Sequence, residues 1–332
     1  MHHQIGLKIF GTTFSIRSKN LECISMLEHE FQFFSHPHRE GQYNILLELS
    51  EIPTGLLPRL YSKKISQNSI TYDDGPVRWN DYFGKALSSL NYQSGQAVIY
   101  SPSIDLIHEL AYLLLLSLSG KAMDLAGFHK IHACGINMGH KNILISLPSK
   151  GGKTTLFLEL CKYPEVSLIS DDTPVIDSKG HVHAFPLRVG VEAVPVWLQT
   201  KDFPLFKREK FSDKFLIPLR DLGRSIYSGK DTRNVFLIGL RSSGDYPRLL
   251  RASTLQGFKA LFEHMVIGVG LPMVVEYFVK NTFRDWLVLI RICYLRSLAA
   301  LAFWKRSKVY FFVLSSSPEA NAEFLHQRIS EL

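Results

Sequence analysis

The sequence predicts an α/β (α+β) fold in two domains, on three observations. The chain has 332 residues, and at roughly 150 residues per domain that length suggests about two. Hydrophobic residues make up 46% and charged residues 20%, an ordinary globular composition that argues against a disordered or collagen-like chain. Short apolar runs of strand character alternate with helical patterns, and a strand, a glycine loop, a helix and a second strand follow one another near the middle.

In residues 1–95, Ile5–Phe10 and Asn44–Leu49 cluster apolar residues as strands do. Leu21–Phe33 has helical spacing at Leu21, Ile24, Leu27 and Phe31. Tyr72-Asp73-Asp74-Gly75-Pro76 reads as a turn. This part is expected to be a small N-terminal α+β domain and carries no chemical signature.

Residues 96–332 are expected to form the second, nucleotide-binding domain. Asp105, Leu106, Leu110, Leu113, Leu114 and Leu118 predict a helix with a wide apolar face over Ser103–Ala126, punctuated by Gly120 and Gly127. Lys130–Gly135, Asn142–Leu147 and Val166–Ile169 are three short strands, with a helical run at Leu156–Cys161. Arg188–Pro218 is mixed, with several prolines and the basic stretch Lys207–Lys210. Asn234–Leu240 is a further strand. Helical patterns follow at Ser253–Val269, Pro272–Phe283 and Arg284–Trp304, and Lys308–Leu314 is expected as a terminal strand. Arg284, Arg291 and Arg296 stand among aliphatics at helical spacing, which fits a core-packed amphipathic helix better than a membrane-surface one.

Composition narrows the function classes. Cys23, Cys134, Cys161 and Cys293 show no CxxC pair and no zinc-finger spacing, which speaks against a disulfide framework or structural metal site. The start lacks a basic region followed by an apolar one. The uncharged apolar stretches Leu110–Gly120 and Met265–Val275 fall short of the roughly 18–20 residues that span a bilayer. A cytoplasmic chain without a transmembrane segment is therefore expected. The net charge of +8 favours anionic ligands such as nucleotides, nucleic acid or acidic peptides without choosing among them. Nucleic acid is the weakest of these, because the basic residues are dispersed and no aromatic–basic motif occurs.

The segment Leu147-Pro-Ser-Lys-Gly-Gly-Lys-Thr-Thr is the most informative. A phosphate loop reads G-x-x-x-x-G-K-[ST]. Gly152, Lys153 and Thr154 fill the last three places, while Leu147 replaces the first glycine. Gly151 and Gly152 would let backbone N–H groups turn around phosphate oxygens. Lys153 would place a cation between the β- and γ-phosphates, the Thr154 hydroxyl would bind Mg²⁺, and a helix opening at Thr155 would aim its positive end at the anion. Leu168-Ile-Ser-Asp-Asp then ends an apolar strand in two carboxylates, Asp171 and Asp172. Beside a phosphate loop, one could hold Mg²⁺ and the other accept the proton of an attacking hydroxyl. The same residues would also suit a solvated turn. His132 is a lone histidine in an apolar segment, ordinarily a structural position.

In combination these residues resemble the HPr kinase/phosphorylase family, in particular its divergent relatives. The order is similar: a histidine in an apolar strand, a strand leading to the loop, a helix, then a strand ending in Asp-Asp. His132 lies 21 residues before Lys153, and Asp171 lies 18 after it. The likeness covers about residues 125–195, and more loosely the chain to about 275. It implies a phosphoenolpyruvate-carboxykinase-like phosphate-loop kinase domain that uses ATP and Mg²⁺ to phosphorylate a serine of a protein or peptide. Lys153 is similar to the family's phosphate-binding lysine, and Thr154 stands where a Ser or Thr binds magnesium. Asp171 matches the aspartate that takes the acceptor's proton, Asp172 its neighbour near the metal, and His132 the active-site histidine. The family's tendency to associate implies a homo-oligomer. The chain departs from the pattern at Leu147, in place of the first loop glycine, and at Pro186, where the family has a further carboxylate for which Glu192 could substitute. Arg188, Arg220 and Arg224 are candidates for a phosphate clamp. These departures bear more on the reverse, phosphate-removing activity than on nucleotide binding.

Three functions stay open on the sequence: a kinase for a Ser/Thr hydroxyl of a protein or peptide, a non-catalytic nucleotide-binding sensor or scaffold, and a small-molecule kinase on the same fold.

Overall fold

The structure, a computed structural model, describes residues 2–37, 40–57, 61–148, 151–206, 212–229, 233–242, 244–268, 283–329 and 331. The fold is mixed α/β, with several sheets and six α-helices among these residues. It divides into two compact units, Met1–Met123 with Pro272–Asp285, and Asp124–Leu271 with Trp286–Leu332. The basic stretch Lys207–Lys210 and the helix expected over Pro272–Phe283, apart from Phe283 itself, lie outside the described residues.

The first unit is built on β1 (His3–Ile9), β2 (Thr12–Ser18), α1 (Leu21–Phe31), β3 (Tyr43–Leu49), β4 (Lys64–Ile65), β5 (Ile70–Asp74), β6 (Val77–Asp81), β7 (Leu87–Asn91) and β8 (Gln96–Ser101). The strands form one sheet in the order β1-β2-β3-β8-β7-β6-β5-β4. Helix α1 starts where the Asn20 side chain accepts from the Cys23 N–H, satisfying one of the unpaired donors of a helix start. It buries Ile24, Leu27 and Phe31 of the face its spacing predicts, together with Cys23, while Leu21, the first residue of that spacing, is exposed. Tyr72–Asp74 belong to β5 rather than to a turn; only Gly75-Pro76 connect β5 to β6. Across that hairpin the Arg78 guanidinium holds Asp73 with two parallel bonds of 2.8 and 2.9 Å. Because β8 lies between β3 and β7, the boundary expected after residue 95 runs through this unit.

Helix α2 (Ile104–Leu125) leads into the second unit. After it come β9 (Phe128–Lys130), β10 (Cys134–Met138), β11 (Lys141–Ser146), α3 (Lys153–Leu160), β12 (Ser167–Ser170), β13 (Val175–Asp177), β14 (Val182–His183), β15 (Arg188–Val191), β16 (Leu205–Phe206), β17 (Lys214–Pro218), β18 (Arg233–Arg241) and β19 (Arg248–Arg251). Helix α4 (Thr254–Leu261) continues into a π-helical turn over Phe262–Ile267, and α5 (Phe283–Lys305), β20 (Ser307–Leu314) and α6 (Pro318–Arg328) complete the unit. Helix α6 has no counterpart in the expected elements, although Ser317-Pro318 is a helix start: the Ser317 hydroxyl accepts from the Ala320 N–H.

The central sheet runs β12-β10-β11-β18-β20-β19. Strand β11 is parallel to β18, and β18 to β20, while β10 is antiparallel to both β11 and β12. Strands β11, β12, β18 and β20 therefore end on the same edge of the sheet. Alternation along the strands sorts side chains to two faces. Ile143, Ile145, Val235 and Leu237 pack with Leu156, Phe157 and Leu160 of α3 and with Ala322 and Leu325 of α6. Leu144 and Phe236 face the other way, onto Ala260, Leu261, Met265, Ala299, Ala300 and Phe303. One face of α5 is thus core, which meets the core-packed expectation only in part, since Trp286, Leu287, Ile290 and Tyr294 on it are exposed. By length and composition α2 and α5 each suffice to cross a membrane, with 67% and 28% of their most apolar windows buried. The four cysteines are free thiols.

A buried polar cluster ties this unit together. The Arg296 guanidinium donates to both oxygens of Asp124, at 2.9 and 2.7 Å, and to the Met265 carbonyl at 3.0 Å. His129 Nδ1 lies 2.9 Å from the same carboxylate. Removing one partner leaves a buried charge uncompensated, which typically costs about 3–5 kcal/mol. Asp124→Asn and Arg296→Met are each expected to destabilise the chain by about that amount in urea unfolding, and the double variant by less than the sum. Single variants as stable as the wild type would refute this account.

Candidate functional site

Strand β11 ends at Ser146, and the chain passes through Leu147 and Pro148 to Gly151, with Ser149 and Lys150 outside the described residues. Leu147 is buried in the core, and its side chain fills the space over Gly239, where a Cβ would come within 2.3 Å of it. The first glycine of the motif is thus replaced by a residue that extends the sheet packing. Gly151 N–H donates to the Pro148 carbonyl at 2.8 Å. Gly152 caps α3 at φ 90°, a left-handed conformation that disfavours other residues. The helix starts at Lys153, two residues before the expected Thr155, which lies exposed in the first turn. The first N–H groups of α3 lack partners within the helix and make its start suited to an anion.

Lys153 is buried, and its ammonium bonds to Asp172. The same Nζ lies 3.2 and 3.1 Å from the two ring nitrogens of His132. His132 Nδ1 is 3.2 Å from the same Asp172 oxygen. His132 sits in the break between β9 and β10 rather than within a strand. Its N–H donates to the His264 carbonyl, and the neighbouring Ala133 N–H to the Asp172 carbonyl, each at 3.1 Å. Thr154 Oγ1 donates to Asp171 Oδ2 at 3.2 Å. The structure thus brings His132, Lys153, Thr154, Asp171 and Asp172 together. Asp172, expected as the metal carboxylate, is paired with Lys153.

Asp171 is only 7% exposed, so the Asp-Asp pair is not a fully solvated turn, although the Asp172 side chain is 37% exposed. Burial and the adjacent Asp172 push Asp171 up to about 7, against the opposing pull of Lys153 and Thr154. Burial acts on Asp172 as well, but the His132 hydrogen bond and the Lys153 charge outweigh it and hold Asp172 below the usual carboxylate range. Two neighbouring carboxyls with opposite proton affinities suit an acid–base pair.

Among the described residues no group of three or more His, Cys, Asp or Glu side chains could hold a metal alone. Asp171 Oδ1 is nevertheless buried without a hydrogen-bond partner among them, beside the Thr154 hydroxyl. The Thr154 hydroxyl and the neighbouring carboxylates are oxygen donors of the kind that fit Mg²⁺, which keeps several waters and takes substrate phosphates as further ligands.

The arginines singled out from the sequence make other contacts. Arg224 bonds to the Cys161 and Lys162 carbonyls, Arg220 is near Asp221, and Arg188 lies over Phe206. Glu192 accepts from Ser212. Two residues join the site that sequence reasoning missed. Arg241, the last residue of β18, donates from Nε to the Gly151 carbonyl at 3.1 Å. Its signal was a cation just beyond the apolar run Asn234–Leu240. His264 stands on the π-helical turn with its ring 6.2 Å from that of His132; a single histidine in a helical pattern gave no local signal. No protein-family model and no curated protein matches the chain.

The raised proton affinity of Asp171 has a stability consequence. From about pH 4 to about 7 the folded chain holds a proton here that the unfolded chain has lost. The contribution of Asp171 to stability is therefore greatest at acid pH and declines as pH rises through this window. In chelator, Asp171→Asn is expected to gain stability relative to wild type from pH 4 to pH 7 in urea unfolding. A difference that stays constant with pH would overturn the assignment.

Proposed function

We propose that this chain is an ATP-dependent kinase that transfers the γ-phosphate to a Ser or Thr hydroxyl of a protein or peptide, as the HPr kinase/phosphorylase family does. The proposal includes the phosphoenolpyruvate-carboxykinase-like fold of that family. The observation that carries it is the meeting of three groups at one sheet edge. These are the Gly152-capped start of α3, the Lys153–Asp172–His132 cluster and the Thr154–Asp171 pair. Ligands of open α/β sheets bind outside the carboxyl ends of strands, which is where these groups stand.

In this reading the N–H groups of α3 and Lys153 bind the phosphates. Lys153 exchanges its bond to Asp172 for phosphate oxygens, and Arg241, beside the Gly151 carbonyl, adds a cation at the loop. Thr154, with Asp172 once Lys153 has turned to phosphate, would hold Mg²⁺, which when bound neutralises phosphate charge. The acceptor oxygen attacks the γ-phosphorus as the bond to the β-phosphate oxygen breaks and ADP leaves. The hydroxyl proton passes to the Asp171 carboxylate, whose proton affinity burial raises toward neutrality. His132 orients Asp172 and Lys153.

A second reading, a nucleotide sensor without transfer, draws support from Leu147 in the core and from Pro186 at the place of the family's further carboxylate.

Calorimetry with MgATP tests binding: Lys153→Ala is expected to lose most of the affinity, and equal affinity would sink the loop assignment. Radiolabel transfer in a lysate fraction holding the acceptor tests chemistry. Asp171→Asn is expected to lose about 10²–10⁴ in rate while still binding MgATP. Transfer by neither protein to any acceptor, with binding intact, would favour the sensor.

A further inference from the structure

We infer that His264 is a second imidazole of this site, hydrogen-bonding through Nδ1 to an oxygen of the phosphoryl group held at Lys153, beside His132. The inference rests on the phosphate-loop reading and extends it to a residue far beyond the Asp-Asp pair in the chain.

The backbone fixes where His264 stands. Its carbonyl accepts the His132 N–H, and the next carbonyl, that of Met265, accepts from buried Arg296. The π-helical turn carrying it has a wider hydrogen-bonding ring than an α-helix, a distortion frequent at functional sites. The His132 and His264 rings are 6.2 Å apart and inclined by 33°. At that separation the two rings cannot share a direct hydrogen bond, but one oxygen at contacts of about 2.9 Å can reach both.

The decisive feature is the Nδ1 atom. It is buried and has no hydrogen-bond partner among the described residues. A core position would suit an apolar side chain of the same size without leaving a polar atom unbonded. Among the groups of the site, His132, Lys153 and His264 are nitrogen-bearing, and Asp172 is the acceptor that Lys153 and His132 share. A phosphoryl oxygen entering there supplies the acceptor that Nδ1 lacks, and Lys153 is the cation that holds it.

The test is calorimetric titration of the full chain with MgATP, with melting temperatures measured in parallel. In His264→Asn the amide stands near the position of Nδ1; in His264→Gln it is displaced outward; His264→Leu keeps bulk without polarity. His264→Leu and His264→Gln are expected to weaken MgATP binding roughly tenfold, and His264→Asn to stay within about threefold of wild type. If the Leu variant does not fold, the Asn and Gln pair carries the comparison. Equal binding by all His264 variants, with Lys153→Ala binding lost, would overturn the inference and leave the phosphate loop standing. Losses that follow the melting temperatures, with Asn no better than Gln, would assign His264 to the core. Wild-type affinity in Lys153→Ala would remove the phosphate-loop reading, and this inference with it.

Discussion

The Asp124–Arg296 ion pair is the constraint on which the arrangement of the second unit depends. Both side chains are buried, and each is satisfied several times over: Arg296 donates to Asp124 twice and to Met265, and Asp124 also meets His129. A buried pair of this kind adds little net stability over an apolar core. What it contributes is position, because a planar guanidinium accepts partners only in its own plane and directions. The cluster links the end of α2, the strand β9, the π-helical turn and α5. From Met265 the constraint passes along one residue to His264, whose carbonyl holds His132, which touches Lys153 and Asp172. Beside it, burial brings Lys130 down to about 7 against the pull of Asp124, with its ammonium over the Phe185 ring.

The second constraint is strand direction. Strands β11, β12 and β18 end together because β10 runs against its neighbours, so a single hairpin places the Asp-Asp strand parallel to the strand that leads to the loop. Chain distance then ceases to matter: Lys153, Asp171 and Arg241 come from three segments and meet at one edge. Leu147 shows the cost of that design, since the loop leaves the sheet from a side chain that is part of its core.

Much of the site was legible because its residues are bound to local patterns. The Gly-Gly-Lys-Thr loop needs a strand before it and a helix after it, and both have their own periodicity. Asp171 and Asp172 stand directly after an apolar run. His132 was marked by resemblance rather than by its surroundings. The partnerships were not legible. Nothing in the spacing says that Thr154 meets Asp171 while Lys153 takes Asp172, because the two carboxyls are adjacent and only the turn after β12 decides which one faces which group. Arg241 and His264 escaped because each is an isolated polar residue in a pattern explained by packing.

The sequence by itself determined the mixed α/β class, the stretches that become β3, β11, β12, β18, α1, α2 and α5, and the phosphate-loop motif, since each depends on neighbours within a few residues. It did not mark the short strands β4–β7 or assign β8 to the first unit, because their alternation is weak and their pairing partners lie in other segments. It missed α6, whose helical face becomes visible only against α3 and the sheet. Tertiary structure alone decided the burial of Asp171, the pairing of Lys153 with Asp172 and the approach of His264 to His132. The physical reason is that proton affinity and hydrogen-bond choice depend on the groups within a few ångströms in space, and here those groups arrive from strands, loops and a π-helical turn that sequence order keeps apart.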